Sequence, residues 1–425
     1  MKYQQLSASF YTGARSKVSA QMPQGCAAVF FSNDIYPTSA DGTLPFKQAS
    51  DIFYLTGVDQ EETILVLFPS SAQSGMREIL FVRETNEHIA VWEGAKLTKE
   101  QARAQTGVQN IQWTSDFEKF MRIIMNEAEV MGLNDNAHTR ATIEVETREA
   151  RWNKKMRQDY PNHGVYRMAP IMHHVRAIKA DEEIDQLKRA INLTRQGFER
   201  VMKMVKPGVL EYELEAEYLH EFVKNGSRGF AYTPIIASGA SACVLHYIAN
   251  DLPCKDGDLL LMDVGAEYGN YNADMTRCIP VNGKFSPRQK DVYNAVLRVM
   301  EGAKQLLRPG VMMADYHTEV GKLMTSELVG LGLLTTEESQ QPLAYKKYFM
   351  HGTSHFLGLD VHDVGDWNIP IEAGNVFTVE PGIYIPEESL GIRIENNIVI
   401  TNGEPLDLFA DFPTTVEEIE AMMAS

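Results

Sequence analysis

Cysteine is scarce in this chain, four in 425 residues, and none of Cys26, Cys243, Cys254 and Cys278 stands in a CxxC spacing. That excludes a disulfide framework or a zinc knuckle and leaves four reduced thiols acting as small hydrophobes. Long hydrophobic runs are also missing. The apolar stretches Ala27–Phe31, Ile64–Phe68 and Leu259–Met262 fall far short of the ~20 residues that span a bilayer, and the N-terminal residues lack the apolar segment of a secretory leader. A soluble, cytoplasmic protein with no membrane partner is expected. Positive charge is in deficit as well, with 40 Lys and Arg against 57 Asp and Glu and a net charge of −17. A nucleic-acid partner needs the opposite balance and is excluded.

Several catalytic signatures are absent too. There is no GxxxxGK[ST] or GxGxxG to cradle phosphate, no HExxH, no GxSxG, and no cysteine beside a histidine cluster. Nucleotide binding, thermolysin-like, serine-hydrolase and thiol mechanisms therefore lack their residues. The charge deficit is uneven. Residues 1–172 carry 18 basic and 20 acidic side chains, residues 173–425 carry 22 and 37, and the last 75 residues hold fourteen acids and a single cation, Arg393. The carboxylate excess sits in the C-terminal part with little to neutralise it.

The length exceeds one ordinary core, and 44 % hydrophobic with 23 % charged residues is a globular composition. Two domains are expected, 1–173 and 174–425. In the first, strand-like runs (Ala27–Phe31, Ile64–Phe68, Glu78–Val82) alternate with helical ones (Thr98–Thr106, Asp116–Glu129, Thr142–Arg157), an α/β pattern. The second opens with an amphipathic helix from Asp181 that ends by Pro207-Gly208; Asp181, Glu182 and Glu183 read as complements to its dipole. Helices Glu211–Lys224 and Pro287–Leu307 follow, with strands Thr233–Ala237, Asp258–Glu267, Asn270–Val281, Asn375–Val379 and Gly391–Ile400. Helix pairs followed by strand pairs, twice over, describe an α+β domain of two similar halves.

Chemistry concentrates in four segments of that domain. In Leu-Leu-Leu-Met-Asp263 through Asp274-Met-Thr-Arg, two strands flank a turn at Tyr268-Gly269 or Gly269-Asn270. The first centring sets Asp263 opposite Asp274, and the second makes them diagonal neighbours, ~7–8 Å apart on one face. Two like charges beside an apolar strand persist if one is protonated, as in an acid/base dyad, or if a cation lies between them. The segment from His351 to Asp363 places three of the eleven histidines, His351, His355 and His362, within twelve positions among glycines and small residues. That concentration favours ligation or proton transfer over isolated structural roles. His173-His174 has no such surroundings and reads as structural. Glu380 follows the strand Val-Phe-Thr-Val, and Gly-Ile-Arg393-Ile-Glu395 puts Arg393 and Glu395 on one face of a strand. A lone arginine between isoleucines reads as a buried partner for a carboxylate. Two Asp, two Glu and one or more His form a hard, oxygen-rich set suited to two divalent ions.

In order and local context, Asp263, Asp274, His355, Glu380 and Glu395 resemble the five metal ligands of the pita-bread metallopeptidases, which include methionine aminopeptidase, prolidase and aminopeptidase P. HGTSHFLGLDVHD resembles the proline-peptidase signature, VRAIKADEEI the entry to that catalytic domain, and FKQASDIFYLTG the N-terminal domain of bacterial aminopeptidase P. The resemblance implies a C-terminal pita-bread (creatinase/methionine aminopeptidase-like) domain after a smaller α/β creatinase-like domain. It implies two divalent ions, Mn²⁺ before Zn²⁺, Co²⁺ or Fe²⁺, with Asp274 and Glu395 shared, Asp263 on one and His355 and Glu380 on the other. It further implies that His246 lies near the substrate, that His351 and His362 stand beside the proline pocket and the tetrahedral intermediate, and that Arg393 supports the ligands. The implied activity is hydrolysis of the Xaa-Pro bond at a peptide N-terminus by a hydroxide bridging the metals, with Glu380 moving the proton, in a dimer or tetramer. A dipeptidase restricted to Xaa-Pro, and a non-catalytic peptide-binding relative, are the rival readings. The connection from Tyr384 to Gly391 is shorter than in many relatives and borders the implied site.

Overall fold

The computed structural model describes residues 3–141 and 144–424. The chain divides into two compact units, one of residues 5–176 and one that begins at Ala177 and takes in Tyr3 and Gln4.

The N-terminal unit is built on a six-stranded mixed sheet of β1 (Cys26–Phe31), β2 (Ile64–Leu67), β3 (Glu78–Val82), β4 (Asn110–Trp113), β5 (Val130–Leu133) and β6 (Gly164–Arg167), in the order β4-β3-β2-β1-β5-β6. Its helices are α1 (Ala8–Ser19), α2 (Ser50–Thr56), α3 (Glu87–Glu93), α4 (Lys99–Thr106), α5 (Phe117–Glu127), α6 (Arg148–Asp159) and α7 (Ala169–Ala177). The three strand-like runs of this part become β1 to β3 because nearly continuous apolar sequence suits strands covered on both faces. The helix expected from Thr142 begins at Arg148, capped by Thr147; Thr142 itself lies outside the described residues. His173 Nε2 donates to the Ala137 carbonyl (2.7 Å).

In the C-terminal unit α8 (Asp181–Met202) packs on α9 (Glu211–Lys224), and α10 (Pro287–Leu306) on α11 (Met313–Gly330); α12 (Val416–Met423) ends the chain. Strands β7 (Ile235–Ser238), β8 (Leu259–Asp263) and β11 (Thr276–Pro280) form one antiparallel sheet in the order β11-β8-β7, and β9 (Glu267–Tyr268) and β10 (Tyr271–Asn272) continue its hairpin. Strands β12 (Val376–Val379), β15 (Asn396–Val399) and β16 (Leu406–Asp407) form a second sheet, and β13 (Gly382–Ile385) pairs with β14 (Leu390–Arg393). Two helix pairs thus cover two sets of strands.

Register fixes what meets in the middle. Tyr268 pairs with Tyr271 and Asp263 with Thr276, so the turn is centred on Gly269-Asn270, whose φ values of 59° and 68° are those of a two-residue type I′ hairpin. Asp274 therefore lies diagonal to Asp263. Leu259–Met262 are each 3 % exposed or less, and burying such side chains contributes about 1.5–3 kcal/mol apiece. One unbroken strand is expected from Asp258 to Glu267 and another from Asn270 to Val281; each breaks where the aspartates stand, between Asp263 and Glu267 and between Asn272 and Thr276. Among the described residues no helix is long and apolar enough to cross a membrane.

Candidate metal centre

Five side chains converge in the C-terminal unit from β8, the β10–β11 break, the segment before β12, and the ends of β12 and β14. Asp274, His355 and Glu395 are buried and offer one ligand atom each within 4.8 Å of the others. Glu380 Oε1 is 3.4 Å and Asp274 Oδ2 3.6 Å from His355 Nε2. Asp263 joins through Tyr232, whose hydroxyl lies 2.5 Å from Oδ1 of both Asp263 and Asp274. Glu395 Oε2 accepts from Thr276 (2.8 Å), while its Oε1 is buried without a hydrogen-bond partner.

These observations describe a cluster that is costly by itself. Burial, then Glu395 and Asp263, push the Asp274 carboxyl well above the usual range; burial, then Glu380 and Asp263, do the same to Glu395. His355 Nδ1 donates to the Phe356 carbonyl (2.9 Å), which fixes the neutral tautomer with the Nε2 lone pair facing two carboxylates. Lone pair against carboxylate is repulsive unless a cation or a proton intervenes. An orphaned carboxylate oxygen, a histidine locked in its ligating tautomer and an all-oxygen-and-nitrogen donor set fit hard divalent ions.

The residues around the centre hold it in place. Arg393 is 4 % exposed and donates from Nη2 to Asp263 Oδ2 (2.5 Å), from Nη1 to the Tyr384 hydroxyl (2.8 Å) and from Nε to Thr276 Oγ1 (3.1 Å). Its carboxylate partner is Asp263 across the sheets, although Glu395 is nearer in sequence. His351 Nδ1 donates to the Gly352 carbonyl (2.8 Å), so Nε2 accepts from Tyr384 Oη (2.8 Å). Burial, then Arg393, lower the His351 pKa to about 3, so its ring is neutral at every physiological pH. His362 is exposed, with its ring 4.2 Å from that of His355. His246 is exposed on the turn after β7 and close enough to His351 to depress its basicity. Sequence reasoning missed Tyr232, Thr276 and Tyr384. Tyr232 sits in irregular chain, Phe-Ala-Tyr-Thr-Pro, where no periodicity betrays what it faces. Only the alternation from Asp274 to Thr276 carried a signal. Glu183 also differs from expectation: it is buried, accepts from Ala180 N (2.9 Å) and Tyr271 Oη (3.0 Å), and its pKa rises to about 7 through burial.

Helix-covered antiparallel sheets around a buried Asp/His/Glu centre define a two-domain metallohydrolase. The chain belongs to metallopeptidase family M24, whose model matches residues 185–402, and residues 11–131 match the aminopeptidase P N-terminal domain. An Xaa-Pro aminopeptidase of Escherichia coli (strain K12) is 37 % identical over 426 residues, 97 % of this chain and 96 % of that protein. Xaa-Pro aminopeptidase 3 of Homo sapiens is 32 % identical, covering 92 % of this chain and 80 % of that protein. Among solved structures, zinc-substituted E. coli aminopeptidase P in complex with product superposes with a TM-score of 0.87 at 34 % identity, covering 99 % of both chains. The aminopeptidase PepP of Pseudomonas aeruginosa gives 0.90 at 32 %, covering 99 % of this chain and 98 % of that one. The fold is the pita-bread metallopeptidase fold with its N-terminal companion domain, and the protein is a metallo-aminopeptidase of the Xaa-Pro aminopeptidase kind that uses divalent metal ions.

Proposed function

We propose that this enzyme releases the first residue of peptides that carry proline at position two, using two divalent ions, Mn²⁺ in its native state, held by Asp263, Asp274, His355, Glu380 and Glu395. The observation that carries the reading is the buried, mutually repelling set of Asp274, Glu395 and the tautomer-locked His355, which a pair of cations neutralises. When bound, such ions lower the pKa of water and polarise a carbonyl.

The protein's own groups do the rest. Glu380 is 18 % exposed at its side chain, the most open of the cluster's hydrogen-bonded carboxylates beside His355, and it faces His351 Nδ1 at 3.8 Å. It takes a proton from the attacking water and delivers it to the prolyl nitrogen, which leaves poorly unless protonated. His362, exposed beside the buried His355, faces the developing oxyanion, and His246, exposed near the half-buried His351, contacts the bound peptide. His351, neutral and held by Tyr384, presents an uncharged wall for the proline ring. Arg393 orients Asp263 and Tyr384 together. Asp274 and Glu395, the two buried carboxylates of the set, would be the ligands held in common by both ions. Because proline makes a tertiary amide, the site fits a ring and engages no N–H at that bond.

Two further readings accompany this one. The boundary between companion and catalytic domains lies near residue 173, and the enzyme works in the cytoplasm as a dimer or tetramer, in keeping with four unbridged thiols. Mass spectrometry of an Xaa-Pro-Xaa tripeptide after incubation tests the activity: release of free Xaa is expected. Turnover of Xaa-Pro dipeptides alone would assign a dipeptidase instead, the activity named for a Mus musculus relative 30 % identical over 97 % of this chain.

A further inference from the structure

One carboxylate outside the metal centre is satisfied on every side. Glu211 opens α9 and has no exposed surface. Its Oε1 accepts from Ser238 N (2.8 Å) and Ser238 Oγ (2.7 Å), and its Oε2 from Tyr247 Oη (2.7 Å) and Leu252 N (3.0 Å). Its own N–H donates to the Leu252 carbonyl (3.1 Å). An acid in a first helical turn ordinarily complements the helix dipole in solvent; here both oxygens leave the helix for a single loop, 238–252.

That loop is held at a second foot. Asn250, buried with φ at 47°, accepts from Ile236 N (3.0 Å) and donates to Glu215 Oε2 (2.9 Å) and the Pro234 carbonyl (3.0 Å). Between the feet the tip is open: Val244 and Ile248 are 54 % and 59 % exposed, and His246 stands between them. The loop's inner side rests on β14, where a Cβ at Gly391 would lie 2.2 Å from the Ala242 carbonyl oxygen, two residues before Arg393. A loop anchored at its base thus carries His246 over the strand that supports the metal centre.

The chemistry of the anchor is specific to an ionised carboxylate. Each oxygen faces a backbone N–H, from Ser238 on one side and Leu252 on the other, and backbone donors cannot rotate away. A glutamine amide, whichever way it is flipped, would set its NH₂ against one of them. We propose that Glu211 is a positioning residue for peptide hydrolysis, clamping loop 238–252 so that His246 is presented to the substrate. The proposal rests on reading His246 as a substrate-contacting group.

The test is a double-mutant cycle on metal-loaded protein with an Xaa-Pro-Xaa tripeptide, comparing wild type, Glu211→Gln, His246→Ala and the double variant. Glu211→Gln is expected to raise KM about tenfold with kcat and metal content little changed, the pattern of lost uniform binding. The double variant is expected to be no worse than His246→Ala, because the clamp then has nothing left to position. Losses that multiply, or wild-type kinetics in Glu211→Gln while His246→Ala is impaired, would overturn the proposal alone. Wild-type kinetics in His246→Ala would overturn it together with the reading of His246. If Glu211→Gln does not accumulate folded, Tyr247→Phe removes one hydroxyl donor and no backbone contact. It carries the same cycle with an expected shift of about two- to threefold, and multiplicative losses overturn the proposal there as well.

Discussion

Arg393 grips Asp263, 2.5 Å away on another sheet, while Glu395, its neighbour two positions along the chain, is served by Thr276. The guanidinium offsets one of the clustered carboxylates and leaves the rest to the metal ions. Arg393→Met strands the partly buried carboxylate of Asp263 beside Asp274, a loss on the order of 2–4 kcal/mol in metal-free protein. Calorimetry with and without Mn²⁺ should show most of that loss recovered on metal addition. An equal fall in Tm in both states would show that Arg393 and the metal do not share Asp263.

Tyr232 ties Asp263 to Asp274 through one hydroxyl. Burial and the two aspartates hold that hydroxyl far above its ordinary pKa, so it stays a donor. Tyr232→Phe removes the tie and should lower the Tm of chelator-treated protein more than that of metal-loaded protein. A larger drop in the loaded form would place Tyr232 in a different role.

Asp274→Asn keeps the shape of the side chain and removes half of its ligating capacity. Hydrolysis should be lost and metal content reduced, measured by tripeptide assay and by elemental analysis of the purified protein. Retained activity would show that the site is misassigned.

Glu183 gives a stability signature independent of metal. Its folded-state pKa of about 7 stands above the ordinary 4.5 because of burial, so the native state holds the proton more tightly than the unfolded state does. Stability from this group is intact below about pH 4.5 and falls as pH rises towards 7. Glu183→Gln should match wild type at acid pH and exceed it by on the order of 2 kcal/mol near pH 8, as read by urea denaturation at a series of pH values. A constant difference across that range would mean that Glu183 titrates normally.

Much of this site was legible in the sequence because most of its ligands sit at or just beyond the ends of strands whose pattern is simple. The apolar run before Asp263 marks a buried strand, the Gly269-Asn270 turn sets the register, and the His351–His362 cluster is dense enough to stand out. The sequence pattern left open which turn centring holds; the positive φ of both turn residues decides it, since glycine and asparagine tolerate that conformation. Long-range polar partners were not legible. Tyr232 and Thr276 meet the ligands across 31 to 119 positions of chain, and Tyr384 meets His351 across 33; no local periodicity encodes such meetings. Helix α11 was missed although Met313, Tyr316, Val320, Met324 and Leu328 line its buried face at helical spacing, because apolar Leu323 on the exposed side blurs the contrast between its faces. Glu183 misled for the opposite reason: its position suits a solvated helix start, and only the packing of Tyr271 over it reveals burial.

The most direct measurement is a metal titration of chelator-stripped protein, with hydrolysis of an Xaa-Pro-Xaa tripeptide and of an Xaa-Pro dipeptide followed in parallel. The proposed function predicts no turnover without metal and full tripeptide activity once two equivalents of Mn²⁺ are bound. Tripeptide hydrolysis by the stripped protein, or saturation without any tripeptide turnover, would contradict it.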